Sequence, residues 1–496
     1  MNGFAETEVN LSSIFSFAFV IKNTRIHKNP NLFGEPKTLH LNCMLMDASH
    51  QNTQTLIKDQ GKPRIVIVGG GFGGLELVKG LRKLDAQIIL FDRYNHHTFQ
   101  PLLYQVATSG LETGSIVYPF RKSFNRQKNF YFRLGEVTHI DADNNRVETS
   151  IGSIRYDHLV IATGATTNYY GMKDIEKHSV PLKEISDSIL LRNKIIKNFE
   201  NALLTSDDEM RNSYMDYVIV GGGPTGVEVA GALAELKKHV FPKDYRELNL
   251  MEMDIHLVEA GPRLLGAMSE KSGNKAQQFL EKMGVKVHLN AMVKSYDGYR
   301  VQFTQNDQPQ ELISKTLLWA AGVKGAPIDG IKAESLIRGN RLKVNKFNQV
   351  EGYENIYAIG DIAAMVDEDT PKGHPMMAPP AMQQGRLLAK NFKNKFQNKP
   401  LKPFKYYDKG SMATIGRNKA VVEMRGGQKT QGFIAWAIWM FVHLMYLVGF
   451  RNRLLVFINW FMSYFSYDKS NRLIIGRTGV EDFMEKNEPL ETTNSD

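Results

Sequence analysis

Two glycine clusters are the residues of this 496-residue chain best suited to do chemistry. One reads Gly69-Gly70-Gly71-Phe72-Gly73-Gly74, the other Gly221-Gly222-Gly223-Pro224-Thr225-Gly226. Each has glycine at its first, third and sixth positions, a spacing that suits a dinucleotide. The first glycine permits a tight turn and the second lets backbone approach a pyrophosphate. The third lets helix and strand pack closely, with the helix N-terminus facing the phosphates. A glycine-rich turn can also exist for packing alone, so the surroundings decide. Asp92 and Glu259 stand where carboxylates can accept hydrogen bonds from ribose hydroxyls, which a plain turn would not require. Two such sites in one chain suggest a nicotinamide passing hydride to a flavin. Glu259 favours NADH over NADPH, because a carboxylate repels a 2′-phosphate, although Arg263 lies nearby.

The elements around the clusters follow from pattern. Arg64 to Val68 is a β-branched run typical of a strand buried on both faces, Leu75 to Leu84 reads as a helix, and Gln87 to Phe91 is the next strand. Asp216 to Val220, Val227 to Lys237 and Asp254 to Val258 repeat the device, with an insertion from Lys238 to Met253. A later strand, Asn355 to Ile359, runs into Gly360-Asp361 and then a possible helix, for which Asp361 could serve as an ordinary N-cap. The expected fold class is α/β, with two Rossmann-like dinucleotide-binding domains and a C-terminal membrane-associating helical region.

Composition narrows the class. A hydrophobic share of 42% and a charged share of 23% are globular values. The net charge of +10 suits an anionic membrane or anionic cofactors, and no nucleic-acid-binding signature accompanies it. Cys43 is the single cysteine, so a thiol-pair relay and a Cys-rich metal site are both excluded, and His96 and His97 lack the partners of a metal site. Residues 1–60 read as a poorly ordered extension: Glu6 and Glu8 precede its apolar stretch where a signal peptide wants positive charge, and Met44 or Met46 is an alternative start.

Gly432 to Phe450 is apolar except for His443 and by length alone could span a bilayer. Leu454 to Tyr467 could not, because Asn459, Ser463 and Ser466 form a polar stripe. Trp436, Trp439 and Trp460 suit the headgroup level. Arg451 and Arg453 lie between the segments, with Arg417, Lys419 and Arg425 before them and Lys469, Arg472 and Arg477 after. Apolar aromatic helices framed by cations describe a monotopic anchor on an anionic membrane surface; an ordinary core, a true span and a dimer interface remain alternatives.

Together these features resemble the two-dinucleotide-binding-domain flavoproteins, with FAD at the first cluster, NADH at the second and the NAD domain inserted within the FAD domain. The resemblance implies that Ala162-Thr163-Gly164 closes the first FAD segment, that Gly360 and Asp361 contact FAD, and that Gly322 and Ala381 are further cofactor-binding positions. The implied domains are a FAD-binding part at 61–171, an NAD(H)-binding domain at 172–323, a second FAD part at 324–400, an anchoring region at 401–477 and an acidic tail at 478–496.

Five stretches resemble one branch, the type II NADH dehydrogenases: His96 to Leu111, Gly221 to Leu236, Ala358 to Ala363, Lys409 to Glu423 and Gly449 to Asp468. That branch reduces a membrane quinone without pumping protons, peripherally on the cytoplasmic face of the inner (plasma) membrane, and a homodimer is expected. Glu228 matches a glutamate near nicotinamide and flavin, although a carboxylate in a helix's first turn is favoured by the dipole whatever its job. In the family's quinone motif, Ala-Gln-x-Ala-x-Gln, the second glutamine matches Gln383 while Pro379 replaces the first. Gln383 could equally lie on a helix surface. Lys409 matches a lysine near the quinone pocket, or is solvated beside Asp408. A soluble reductase of a small electron carrier and an NADH-sensing interaction protein are the rival functions.

Overall fold

In a computed structural model, residues 57–476 are described, except 369, 468 and 470. The start at Met44 or Met46, most of the N-terminal extension, Arg477 and the acidic tail fall outside them. The extension's last residues are tied down: the Ile57 carbonyl accepts from Arg64, and that of Lys58 from Gln87.

The chain begins with β1 (Arg64–Val68), α1 (Phe72–Gly80), β2 (Gln87–Asp92), β3 (Phe130–Leu134) and β4 (His158–Ile161). A second set follows: β5 (Val180–Pro181), β6 (Tyr217–Val220), α2 (Pro224–His239), β7 (Ile255–Val258), β8 (Val285–His288) and β9 (Thr316–Trp319). Only then does β10 (Ile356–Ala358) return to pair in parallel with β4. The first sheet is therefore ordered β10-β4-β1-β2-β3, and the second, ordered β5-β9-β6-β7-β8, is inserted between two of its strands. Both are parallel, and Ile65, Val66, Ile67 and Val218, Ile219 are inaccessible to solvent because both faces of each sheet are covered. Two short antiparallel strands, Ala165–Thr167 and Val323–Gly325, carry the chain out to the inserted unit and back.

The helices that follow the glycine turns start earlier than their apolar pattern suggests, at Phe72 and Pro224, because the turn itself supplies the first helical residues. They are covered differently. Against α1 lies α3 (Ala378–Phe396), at a contact so close that a Cβ on Gly385 would strike the Gly73 carbonyl. Against α2 lies β11 (Gly410–Gly416), where a Cβ on Gly231 would strike the Ile415 carbonyl. β11 pairs with β12 (Lys419–Met424), and two helices complete the region, α4 (Phe433–Tyr446) and α5 (Phe450–Ser466).

The 19-residue apolar run is thus not one helix. It breaks at Leu447, with Gly449 at φ +88°, and the 14 residues of α4 span roughly 21 Å at 1.5 Å each, short of a hydrocarbon core of about 30 Å. No helix among the described residues is long and apolar enough to cross a membrane. α5 begins at Phe450, earlier than expected, and exposes Phe450, Phe457, Phe461 and Phe465 on one side.

Candidate active site

At the first turn Gly69 has φ +102°, and a Cβ there would strike the Ala162 carbonyl, while one on Gly74 would strike the carbonyl of Gly69. At the second, Gly221 has φ +109° and faces Ala320 in the same way, with Gly226 against Gly221. Only glycine satisfies either geometry. By contrast, a Cβ on Gly71 or Gly223 would meet nothing within 4 Å, so the backbone at the N-termini of α1 and α2 is open to a close-lying pyrophosphate. Both turns fit a dinucleotide. Phe72 packs edge-on to His97 and Phe99, and Pro224 with Thr225 forms the opening of α2, where a missing N–H costs nothing.

The two acids brace the turns. Asp92 accepts from the Gly70 N–H at 2.7 Å and the Tyr94 N–H at 2.8 Å. Burial raises its carboxyl above the usual range, against those two hydrogen bonds. Glu259 accepts from the N–H groups of Gly222 and Gly261, the latter at 2.6 Å. Arg263 turns away, donating to the Gly266 carbonyl at 3.1 Å, so it does not neutralise Glu259.

The remaining first-site residues converge from distant sequence. The Ala162 N–H donates to Val68, and the Thr163 hydroxyl donates to the Ala326 carbonyl at 2.6 Å, joining the two crossing strands. Gly164 (φ +72°) and Gly322 (φ +144°) sit at the ends of those strands, Gly322 beneath the Tyr170 hydroxyl. Gly360 has φ +78°, and Ala381 is buried against it. Asp361 is not an N-cap: it lies inside a three-residue 3-10 turn, Gly360–Ile362, followed by a short strand rather than a helix. Burial raises its carboxyl, and Lys183, 3.8 Å away, opposes the rise.

Glu228 lies in the second turn of α2, not the first, because the helix begins at Pro224; the dipole is a weak reason for its presence. Its side chain is buried, and among the described residues no cation lies beside it. One oxygen faces the Thr414 N–H at 3.5 Å, and the Trp439 indole is close by. Burial pushes the carboxyl up to about 8, the Thr414 N–H and Trp439 pulling the other way, which favours the protonated form near neutral pH. It borders a cavity of about 110 Å³ lined by α2, β11, α4, α5 and residues 104–110.

Gln383 and Lys409 do not line that cavity. The Gln383 amide is occupied on both sides by the backbone of Tyr407, donating to its carbonyl and accepting from its N–H, each at 2.9 Å. Lys409, two residues on, is exposed and donates to the Tyr446 hydroxyl of α4 at 2.9 Å. Pro379 occupies the first turn of α3, where no N–H is needed, so the helix tolerates it.

Residues 63–385 match the pyridine nucleotide-disulphide oxidoreductase family, and residues 408–466 match the NDH2 C-terminal domain. The chain is 35% identical to a type II NADH:quinone oxidoreductase of Mycobacterium tuberculosis, over 85% of this chain and 93% of that protein. It is 28% identical to a mitochondrial internal alternative NAD(P)H-ubiquinone oxidoreductase of Arabidopsis thaliana, over 82% of this chain and 85% of that one. Its fold matches that of NDH2 from Plasmodium falciparum in complex with NADH, with a TM-score of 0.75 at 21% identity, over 84% of this chain and all of the other.

The chain is a type II NADH:quinone oxidoreductase.

Within this type II enzyme the structure adds residues that motif matching passed over. Gln384, not Gln383, touches the Gly360 turn: it is buried, and its Oε1 accepts from the Gly360 N–H at 2.7 Å. His97 is buried with Nδ1 3.1 Å from the Gly70 carbonyl, and burial lowers its pKa to about 4, so the ring is neutral. Trp439 and Trp460 both make contacts inside the protein. Trp439 is fully buried and stacks on His443, and Trp460 donates to the Gln105 side chain at 2.7 Å. Several expected framing cations are also used internally: Arg417 lies 3.2 Å above the Tyr467 ring, Arg453 holds the Leu447 carbonyl, Arg472 pairs with Asp244, and Lys469 is largely buried beside Glu235. The signal for Gln384 was its place beside Gln383 on the same helix; for the contact of Trp460 with Gln105, 355 residues away, none existed in sequence.

Proposed function

We infer that the chain binds FAD at the first glycine turn and NADH at the second, and reduces a membrane quinone brought in along α4 and α5. The observation that carries this reading is the double use of α5, which exposes Phe457, Phe461 and Phe465 outward while Trp460 reaches in to Gln105 beside the Glu228 cavity. A soluble electron carrier would not require that apolar outer face; a lipid-soluble acceptor does.

FAD, when bound, would take hydride from NADH and supply two electrons to the quinone. The chain's part is positioning, since hydride transfer needs the reacting atoms about 3–3.5 Å apart. Gly71 and Gly223 receive the two pyrophosphates, and Asp92 and Glu259 keep lone pairs for ribose hydroxyls. Glu228, protonated near neutrality, orients the nicotinamide or gives a proton. Gln383 and Lys409 belong to the quinone pocket, and Gln383 becomes available to a quinone carbonyl only if Tyr407 releases it. No proton is pumped in this cycle.

In stopped flow with the purified holoenzyme, NADH should bleach the flavin and a short-chain quinone should restore its colour. Bleaching without restoration would leave a flavoprotein but remove the quinone assignment. The exposed Arg451, Lys122 and Arg126 add an anionic membrane surface to the reading, with attachment at the cytoplasmic face of the inner membrane. Co-sedimentation with vesicles containing anionic lipid, but not with zwitterionic vesicles, is the expected outcome. A homodimer completes it, and sedimentation equilibrium of the detergent-solubilised enzyme should give twice the chain mass.

A further inference from the structure

The overall reaction fixes a requirement that the residues described so far do not meet. NADH, a quinone and one proton give NAD⁺ and quinol: the hydride supplies two electrons and one proton, and the second proton comes from water. A group that donates that proton must be reloaded from solvent every turnover, and Glu228 is buried.

The cavity beside Glu228, at about 110 Å³, is large enough for several waters. It is also polar enough to hold them. The Trp439 N–H is buried without a well-formed partner, and Gln105, Thr414 and Ser463 contribute further polar groups. At its other end stands Glu235, seven residues after Glu228 on the same face of α2, about 10.5 Å along the axis. Glu235 keeps 21% of its side chain exposed and accepts from the Arg417 N–H at 2.6 Å. Lys469 lies 3.9 Å from its other oxygen and reaches the Ala232 carbonyl at 3.4 Å. Among the described residues, Tyr104 faces Glu228 from the helix Leu103–Ala107, Tyr464 lines the cavity from α5, Arg417 and Lys469 face Glu235, and His239 lies one turn beyond it. Burial lowers the Lys469 ammonium's pKa, and Glu235 opposes this.

We propose that Glu235 is the solvent-side acceptor of a proton-uptake route, with Lys469 positioning it, and that water in this cavity passes the proton on to Glu228. The step balances: the Glu235 carboxylate takes a proton from bulk water and gives it to a cavity water. That water gives one of its protons to the Glu228 carboxylate, and the Glu228 O–H donates to the quinone oxygen. The inference rests on the reading of Glu228 as a donor, and the test separates the two.

Wild type, Glu235→Gln, Glu235→Asp and Glu228→Gln holoenzymes are compared in stopped flow with a pH-indicator dye. In Glu235→Gln, NADH should bleach the flavin at the wild-type rate, while quinol formation and proton uptake slow together by tenfold or more. Glu235→Asp should retain most of the rate, and azide or formate, as small proton carriers, should restore Glu235→Gln. By infrared spectroscopy, the carbonyl band of protonated Glu228 should shift promptly in D₂O in wild type and slowly in Glu235→Gln. Quinol formation within twofold of wild type in Glu235→Gln, or a slowed Glu235→Gln that no small acid rescues and whose Glu228 band exchanges promptly, overturns the route. If Glu228→Gln slows quinol formation and Glu235→Gln does not, the donor stands and the route falls. If Glu228→Gln is itself without effect, the donor reading falls and takes the route with it.

Discussion

The two glycine turns are near copies, and the residue five places into each following helix is a glutamate: Glu76 in α1 and Glu228 in α2. Their states are opposite. Burial pushes the Glu76 carboxyl up, but a 2.6 Å hydrogen bond from Arg386 and Lys79 at 3.0 Å outweigh it, and its pKa falls below the usual range. Glu228 is raised to about 8 by burial with nothing comparable to oppose it. The cause is what covers each helix. α1 carries Lys79 and packs on α3, which brings Arg386. α2 carries Gly231 where α1 carries Lys79, and that missing side chain lets β11 close in and exclude a cation. One backbone device thus hosts a structural ion pair in one copy and a proton-holding acid in the other.

The largest expected effect separates the turns themselves. Gly69→Val and Gly221→Val both force a side chain into a carbonyl at positive φ. If the first turn holds FAD and the second NADH, Gly69→Val should purify colourless. Gly221→Val should keep its flavin but raise KM for NADH by about 100-fold, a loss of roughly 2.7 kcal/mol of binding. A yellow Gly69→Val protein with impaired NADH binding would reverse the assignment.

Next comes the contrast of the glutamates. Glu228→Gln should slow quinol formation by about 100-fold, the usual scale for a general acid, while Glu76→Gln should leave turnover within twofold. The sign of the pH dependence follows from the raised pKa. Below about 8 Glu228 keeps its proton and can donate; above it the carboxylate cannot. The wild-type rate should fall as pH rises through that value, and the Glu228→Gln profile should be flat there. An unchanged alkaline limb would assign it to another group.

The glycine turns, their acids and the order of the elements were legible in sequence because they are local: strand, turn and helix lie within thirty residues of one another. Glu228 could be found by its distance from Gly226, yet its protonation could not. That depends on Thr414 and Trp439, both nearly two hundred residues or more away, and on the cation each helix does or does not meet. Apolar length misled over Gly432 to Phe450, since Gly449 at φ +88° divides the run and Trp439 is buried within it. Gln383 shows the same limit: the motif names the residue, but only the fold shows that Tyr407 holds its amide.

A smaller effect is expected at the second acid. Glu259→Gln removes the charge facing a 2′-phosphate and leaves a single amide oxygen, which can accept from the Gly222 or the Gly261 N–H but not from both. KM for NADH should rise only a few-fold while the preference for NADH over NADPH shrinks by about tenfold, or roughly 1.4 kcal/mol. Steady-state kinetics with both nucleotides checks this, and an unchanged preference would move the discrimination elsewhere.

The smallest effect tests the ion pair that distinguishes α1. Arg386→Ala removes a partner that is about half exposed, and Lys79 still pairs with Glu76, so the cost should be about 1 kcal/mol at neutral pH, or about 2 °C in Tm. Because the pair depresses the Glu76 pKa, its stabilisation is present above the ordinary carboxylate value of 4.5 and is lost as pH falls through the lowered one. Wild type and Arg386→Ala should therefore differ in Tm at pH 7 and converge in acid. A gap that persists at pH 3 would mean that Arg386 stabilises the α1–α3 contact through its aliphatic stem instead, and the charge contrast with Glu228 would then rest on Lys79 alone.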